Sequence, residues 1–344
     1  MAETMRAARI HGPGELRIDE VPRPEPGAGQ VLIRIRACGV CPSDVRSYSG
    51  ERKSSQYPRG VGHEWTGDVV ALGAGAEGFA VGDRVAPDWR VICGRCYYCR
   101  RGIFNYCQNL AGGQVRGGFA EYGLAPTTNL RRIPDNVSYQ AACFTEPLAC
   151  CQNGISKNSI RFGDDVVIVG AGQIGLMHLQ LARHLGGRVI VCDTLEARLR
   201  MAEELGAHDT VNAAAGDAVE RVKALTESRG ANAVIVAVGA PPAIELGLQV
   251  AGICASVNLF AGTYPPATIP LDPNLIHYKQ LSVVGSHDFA PHDFTTALKL
   301  IATGVVQVEP LISHVLPLEE TEKAFRMVAE RQGLKLMVTM PDPA

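Results

Sequence analysis

Cys93, Cys96, Cys99 and Cys107 follow one another with gaps of two, two and seven residues, in a stretch rich in arginine and aromatic residues. Thiolates at such spacing converge as the backbone curls, and zinc takes four sulfurs tetrahedrally at about 2.3 Å. Iron-sulfur clusters also use short cysteine runs, but the bacterial ferredoxin pattern continues with a gap of about three and then Cys-Pro. Here the last gap is seven, and Gln108 follows Cys107. Four cysteines leave no open position for water or substrate, so the expected metal is a structural zinc.

A second chemical signature is rich in glycine. Val166-Val167-Ile168-Val169 runs into Gly170-Ala171-Gly172-Gln173-Ile174-Gly175, and Ile174, Met177, His178, Leu181 and Leu185 continue at helical spacing. A G-x-G-x-x-G turn between a strand and a helix binds a dinucleotide. The first glycine permits the tight turn, the second admits the pyrophosphate to the backbone, and the third lets the helix pack on the strand. The helix N-terminus then faces the negative charge. Gly170, Gly172, Gln173, Ile174 and Gly175 are therefore candidate cofactor-binding residues. Asp193 stands eighteen residues beyond Gly175, where a carboxylate accepts both ribose hydroxyls and repels a 2′-phosphate. That favours NAD over NADP. Arg198, five residues on, either stacks near the adenine or ribose or stands as a solvated helix arginine, and it leaves some tolerance of NADP open.

Composition bounds the partners. Thirty-three Lys and Arg against thirty-five Asp and Glu give a net charge of −2, with no sign of a polyanion-binding surface. Arg90, Arg95, Arg100 and Arg101 read as a solvated face of the cysteine lobe, and no nucleic-acid partner is expected. Eleven cysteines are an odd number, several of them in motifs that need free thiolates, so the expected compartment is reducing. No apolar run approaches the roughly 20 residues of a membrane span, and Met1 to Glu20 lacks the apolar core of a signal peptide. The expectation is a cytoplasmic protein without a membrane partner.

These chemical residues need elements to position them. The 344 residues suffice for two domains, since single cores stop growing at roughly 250 to 300 residues. Short alternating runs before residue 150, such as Val31 to Arg36 and Asp68 to Leu72, read as antiparallel β structure. Beyond about residue 155, apolar strands are expected at Asp165 to Val169, Arg188 to Cys192, Thr210 to Asn212, Ala233 to Val238, Ala255 to Phe260 and Leu281 to Val284. Helical stretches such as Leu195 to Leu205 lie between most of them, which makes an α/β fold with a doubly wound parallel sheet. Helices over Phe294 to Thr303 and near Glu319 to Glu330, then a strand around Lys335 to Met340, close the chain.

Two further motifs lie in the first domain. Cys41-Pro42-Ser43-Asp44 follows the strand ending at Cys38, and Gly62-His63-Glu64-Trp65-Thr66-Gly67 comes about twenty residues later. Taken singly, such a cysteine and histidine are more often core residues than ligands. Together with the nucleotide-binding segment and Thr145-Glu146-Pro147, they resemble the zinc-dependent medium-chain alcohol and polyol dehydrogenases. The resemblance covers essentially the whole chain. The four-cysteine lobe, Gly62-His63-Glu64, Gly117-Gly118-Phe119-Ala120-Glu121-Tyr122 and the glycine fingerprint occur in the family's order, and the sorbitol and threonine dehydrogenase branch is the most similar. It implies a GroES-like, mostly β catalytic domain over 1–154 and 290–344, with the zinc lobe at about 90–110, and a Rossmann NAD-binding domain over 155–289.

The resemblance also implies roles. Cys41, not Cys38, matches the catalytic zinc cysteine, and His63 the zinc histidine. Glu64 matches a glutamate that binds zinc in some members and sits behind it in others, while Glu146 matches the glutamate of the polyol branch. Threonine dehydrogenases resemble this segment with Asp-Pro in place of Glu146-Pro147. The implied cofactors are two zinc ions per chain, one catalytic and one structural, with NAD. An open zinc lowers the pKa of a substrate hydroxyl before hydride leaves for the nicotinamide. Ser43 is the implied first proton acceptor, or the cap of a helix, or both, and Asp44 supports the cysteine or histidine. Two departures stand out. Arg46 replaces a histidine of many relatives and does not shuttle a proton, and Pro42 replaces a basic residue that some relatives place on the pyrophosphate.

Tyr48, Phe119 and Glu146 are candidate pocket residues, with His287 entering from Ser286-His287-Asp288. No compact basic cluster is visible at the expected pocket, which disfavours a phosphorylated sugar. The expected substrate is a secondary alcohol: a polyol, sugar, cyclitol or amino-alcohol. The alternatives are an L-threonine or simple alcohol dehydrogenase and, from another class, a non-catalytic zinc protein binding nucleic acid or a partner. The family implies a homo-oligomer, tetramer or dimer.

Overall fold

Ile33 and Ile35 are almost wholly buried and alternate with the half-buried Arg34 and Arg36 along one strand, the period of a sheet that packs one face on a core. The computed structural model describes residues 3–52, 54, 56–110, 115 and 117–340. It divides into two units. One comprises Met1–Pro147, Phe294–Ala302 and Val308–Ala344, and the other Leu148–Asp293 and Thr303–Gln307.

The first unit opens with strands β1 (Thr4–Gly12), β2 (Glu15–Pro22), β3 (Gln30–Gly39), β4 (Arg59–Gly60), β5 (Glu64–Leu72), β6 (Arg84–Pro87), β7 (Tyr122–Pro126) and β8 (Leu130–Arg132). Strands β1 and β2 form a hairpin, with β4 on the other side of β1. The larger sheet is centred on β3, which pairs antiparallel with both β5 and β7. Trp65, Phe119 and Phe325 fill the core beneath it.

The second unit carries β9 (Asp165–Val169), β10 (Arg188–Asp193), β11 (Asp209–Asn212), β12 (Ala231–Val236), β13 (Ala251–Leu259) and β14 (Ser282–Gly285). All are parallel, in the order β11-β10-β9-β12-β13-β14. This is the doubly wound arrangement, with its switch of direction between β9 and β12. Every residue of β9 is buried, as a central strand covered on both faces requires. Strands β15 (Ile312–Pro317) and β16 (Lys335–Thr339) return to the first unit, where β16 pairs antiparallel with β3 and completes the order β15-β16-β3-β5-β6-β8.

The helices expected around Leu195, Phe294 and Glu319 are Glu196–Glu204, Pro291–Ala302 and Thr321–Ala329. Arg90 departs from expectation. It is not on a solvated face but 1% exposed, with its guanidinium 5.6 Å from the Trp89 ring centre. Among the described residues, no helix is long and apolar enough to cross a membrane.

Candidate active site and metal centres

Cys41 sits at the mouth of the helix Pro42–Tyr48, and the local sequence explains why that helix starts there. Proline at the first position has its φ preset and lacks an N–H that would go unsatisfied. Asp44 then reaches back to accept the Cys41 N–H at 3.2 Å. Its other oxygen accepts the Gly62 N–H at 3.1 Å and lies 3.4 Å from His63 Nδ1. One buried carboxylate thus ties the two motifs together. Gly62 has φ +95°, and a Cβ there would lie 2.8 Å from the Phe119 ring, so only glycine delivers His63 to this place.

The ligand atoms of Cys41, His63 and Glu64 all fall within 4.8 Å of one another. Glu146 joins from the other side of the imidazole, its Oε1 3.9 Å from His63 Nε2. Trp89 donates its indole N–H to that same oxygen at 3.1 Å and meets the His63 ring edge to face at 5.9 Å. Burial would raise the Asp44 carboxyl, but His63 and the two backbone N–H groups outweigh it and hold its pKa below the usual range. Burial likewise opposes charge on His63, and Asp44 and Cys41 overcome it, leaving the imidazole well above its ordinary value. Sulfur, imidazole and carboxylate together suit zinc, and a site with three protein ligands keeps a coordination position open.

Cys93, Cys96, Cys99 and Cys107 also converge, all four sulfurs within 4.8 Å of one another. Cys96 precedes the short helix Tyr97–Arg100, and Cys107 accepts the Cys93 N–H at 3.3 Å. The Arg95 backbone N–H and the Asn109 side chain pull the Cys93 thiol down to about 6, whereas burial pushes Cys99 up to about 12. Four thiols, joined by no other metal-ligating side chain among the described residues, suit a closed zinc site.

Other cysteines are placed differently. Burial raises Cys38 well above the usual thiol range and Cys143 to about 12, which keeps both protonated and poor as ligands.

In the second unit Gly172 caps the helix Gln173–His184, so Gln173 and Ile174 form its first turn. A Cβ on Gly175 would overlap the Gly170 carbonyl oxygen, which is the close packing the fingerprint needs. Nothing lies within 4 Å of a Cβ built on Gly172, leaving the turn open to a ligand. Asp193 ends β10, accepts the Ala171 N–H at 2.7 Å and the Leu195 N–H at 2.9 Å, and has Arg198 at 3.9 Å.

Matches to known proteins agree with this geometry. Residues 27–135 match the alcohol dehydrogenase GroES-like domain and residues 174–303 the zinc-binding dehydrogenase model. A sorbitol dehydrogenase of Halalkalibacterium halodurans is 37% identical over 96% of this chain and 98% of its own. The chain belongs to the zinc-dependent medium-chain dehydrogenase family. Within this family, an L-threonine 3-dehydrogenase of Pyrococcus horikoshii is 34% identical over 95% of this chain and 96% of its own. A solved structure described as a zinc-binding dehydrogenase of Sinorhizobium meliloti, bound to NADP, superposes with a TM-score of 0.92 at 33% identity, covering 98% of this chain and 99% of that one.

Not every expected residue gathers at the metal centre. Ser43 is half-buried at the second position of its helix, two residues from Cys41. Tyr48 turns its hydroxyl to Glu322 at 2.7 Å and packs on Phe325. Phe119 is 1% exposed within the core, so it presents no surface to a substrate. His287 lies in the second unit, where Asn153 donates to its carbonyl at 3.3 Å. Sequence reasoning missed Trp89 and also Lys335, whose buried ammonium pairs with the Glu64 carboxylate across Gly39. The only sign of Lys335 was a lone charge at the head of an apolar strand, and Pro87-Asp88-Trp89-Arg90 matched no motif.

Proposed function

We propose that this dehydrogenase oxidises a secondary alcohol, namely a polyol, sugar, cyclitol or amino-alcohol, to a ketone with NAD. The observation that carries this reading is the convergence of the Cys41, His63 and Glu64 ligand atoms, with Glu146 Oε1 3.9 Å from His63 Nε2. A zinc held there would supply a Lewis acid for the substrate hydroxyl, and NAD held by the glycine turn would supply the hydride acceptor. The chain's own residues do the rest. Asp44 fixes the tautomer and tilt of His63. Ser43 accepts the proton of the alcohol. Arg46 carries a fixed charge, so the proton leaves by water. Gly170, Gly172, Gln173, Ile174 and Gly175 receive the pyrophosphate, while Asp193, with acceptor capacity left beyond its two backbone bonds, takes the ribose hydroxyls and disfavours NADP.

The four-cysteine lobe holds the second zinc and stabilises the fold. Catalytic work belongs to residues 1–154 and 290–344 and cofactor binding to 155–289. The protein is read as cytoplasmic, and a homo-oligomer, dimer or tetramer, fits the edge of the parallel sheet. Among the described residues strand β14 pairs only with β13, and Val283 on β14, Ile253 on β13 and Tyr278 before β14 are exposed.

A second reading, an L-threonine or simple alcohol dehydrogenase, is favoured by the threonine dehydrogenase relative and opposed by Glu146 at the position where that branch resembles Asp-Pro. Initial rates of NADH and NADPH formation on sorbitol, inositols, threonine and short alcohols separate the two. Oxidation of a polyol or cyclitol supports the first, and oxidation of threonine alone overturns it.

A further inference from the structure

Asn153 and Gly154 stand near the end of the helix Thr145–Ile155, where hydrogen bonds tie it to the carboxyl ends of β13 and β14. The Asn153 amide donates to two successive carbonyls just beyond β14, that of His287 at 3.3 Å and that of Asp288 at 2.7 Å. The Gly154 carbonyl accepts the Asn258 amide at 2.7 Å, and Asn258 Oδ1 in turn accepts the Ser286 hydroxyl at 3.2 Å. Asn258, on β13, is wholly buried, and its amide also reaches Asn158 Oδ1 at 3.3 Å. Residues 286–288 are thus held by side-chain amides. That turn needs holding, because Asp288 has φ 59°, a left-handed conformation that a residue with a side chain keeps only where its surroundings impose it.

The turn lies at the same end of the parallel sheet as the glycine turn after β9 and Asp193 at the end of β10. With the ADP half of a dinucleotide taken there, its other half crosses the switch point and lies over the ends of β12, β13 and β14. Close-packed glycines mark a continuous ledge in that direction. A Cβ on Gly170 would collide with Val238, beyond β12, and one on Gly239 with the carbonyl oxygen of Gly262, beyond β13. Residues 286–288 come next, beyond β14. We propose that Asn153 is a positioning residue for the cofactor: its amide fixes the turn after β14 in the shape that receives the nicotinamide half of NAD, and contributes nothing to the ADP half. The inference rests on the dehydrogenase reading above.

The test is calorimetric binding of NADH and of ADP-ribose, which lacks the nicotinamide, to the full-length protein, with a thermal melt of each variant. Asn153→Leu keeps the size of the side chain and removes the donor, and Asn153→Ser is too short to reach either carbonyl. In both, NADH should bind about tenfold more weakly while ADP-ribose stays within about twofold of wild type. Asn153→His presents Nδ1 where the amide nitrogen stood and should recover most of the NADH affinity. If Asn153→Leu does not fold, Asn153→Ser, which admits water to the two carbonyls, decides alone. Equal weakening of both ligands would show a merely structural role, and unchanged NADH affinity an idle bond; either overturns the inference. A wild type that binds neither ligand would instead remove the dehydrogenase reading itself, and the inference with it.

Discussion

Trp89 donates its indole N–H to Glu146 Oε1 at 3.1 Å, the same oxygen that faces His63 Nε2 at 3.9 Å. The indole thus aims a carboxylate at the metal side of the imidazole while its own ring packs against that imidazole. Trp89→Phe keeps the ring and removes the donor. We expect kcat/KM to fall about 10- to 100-fold with the melting temperature nearly unchanged. Steady-state kinetics beside a thermal melt check this, and unchanged kinetics would show the bond to be incidental.

Asp44 holds Cys41 N–H, Gly62 N–H and His63 together from a buried position. Asp44→Asn preserves the size of the side chain but loses the carboxylate on Nδ1. Affinity for the catalytic zinc should drop about 10- to 100-fold, measured by competition with a chromophoric chelator, and the lobe zinc should be untouched.

Asp193 spends two acceptor sites on the Ala171 and Leu195 N–H groups, leaving others for ribose hydroxyls. In Asp193→Ser the negative charge that repels a 2′-phosphate is gone, and Arg198 at 3.9 Å is released to meet one. The ratio of kcat/KM for NADP over NAD should rise about 10- to 100-fold. An unchanged ratio would place cofactor choice elsewhere.

His178 is fully buried against Phe260, and neither ring nitrogen has a hydrogen-bond partner among the described residues. Burial lowers its pKa from 6.5 to about 3. Between those values the unfolded chain binds a proton that the folded chain refuses, so this group costs stability as pH falls below 6.5 and costs none above it. Replacing it by phenylalanine removes that dependence. Denaturant unfolding at about pH 7.5 and about pH 5 should show the variant gaining about 2 kcal/mol on wild type at the lower pH. An equal offset at both values would mean that His178 does not titrate in this way.

The parts of the molecule legible in sequence are those whose physics is local. The glycine fingerprint works within one strand–turn–helix, and β9 through β14 appear within a few residues of their expected places because most are short apolar runs. Cys41 and His63 were recognisable through motifs that include their own structural supports, Pro42 and Asp44 for one and Gly62 for the other. Lys335 was not, because its partner lies 271 residues away and the contact depends on the absence of a side chain at Gly39. Trp89 was missed for a similar reason, with Glu146 57 residues on. Phe119 shows the reverse difference: an aromatic residue near a motif was expected to line a pocket, and it fills the core instead.

The most direct test is zinc content with activity in matched cysteine variants. Wild type should carry two zincs per chain and reduce NAD with an alcohol substrate. Cys41→Ser should keep one zinc, melt nearly as wild type and form no NADH, whereas Cys99→Ser should lose the other zinc and lose stability first. A wild type with a single zinc that Cys41→Ser leaves in place, or undiminished NADH formation by that variant, would contradict the account.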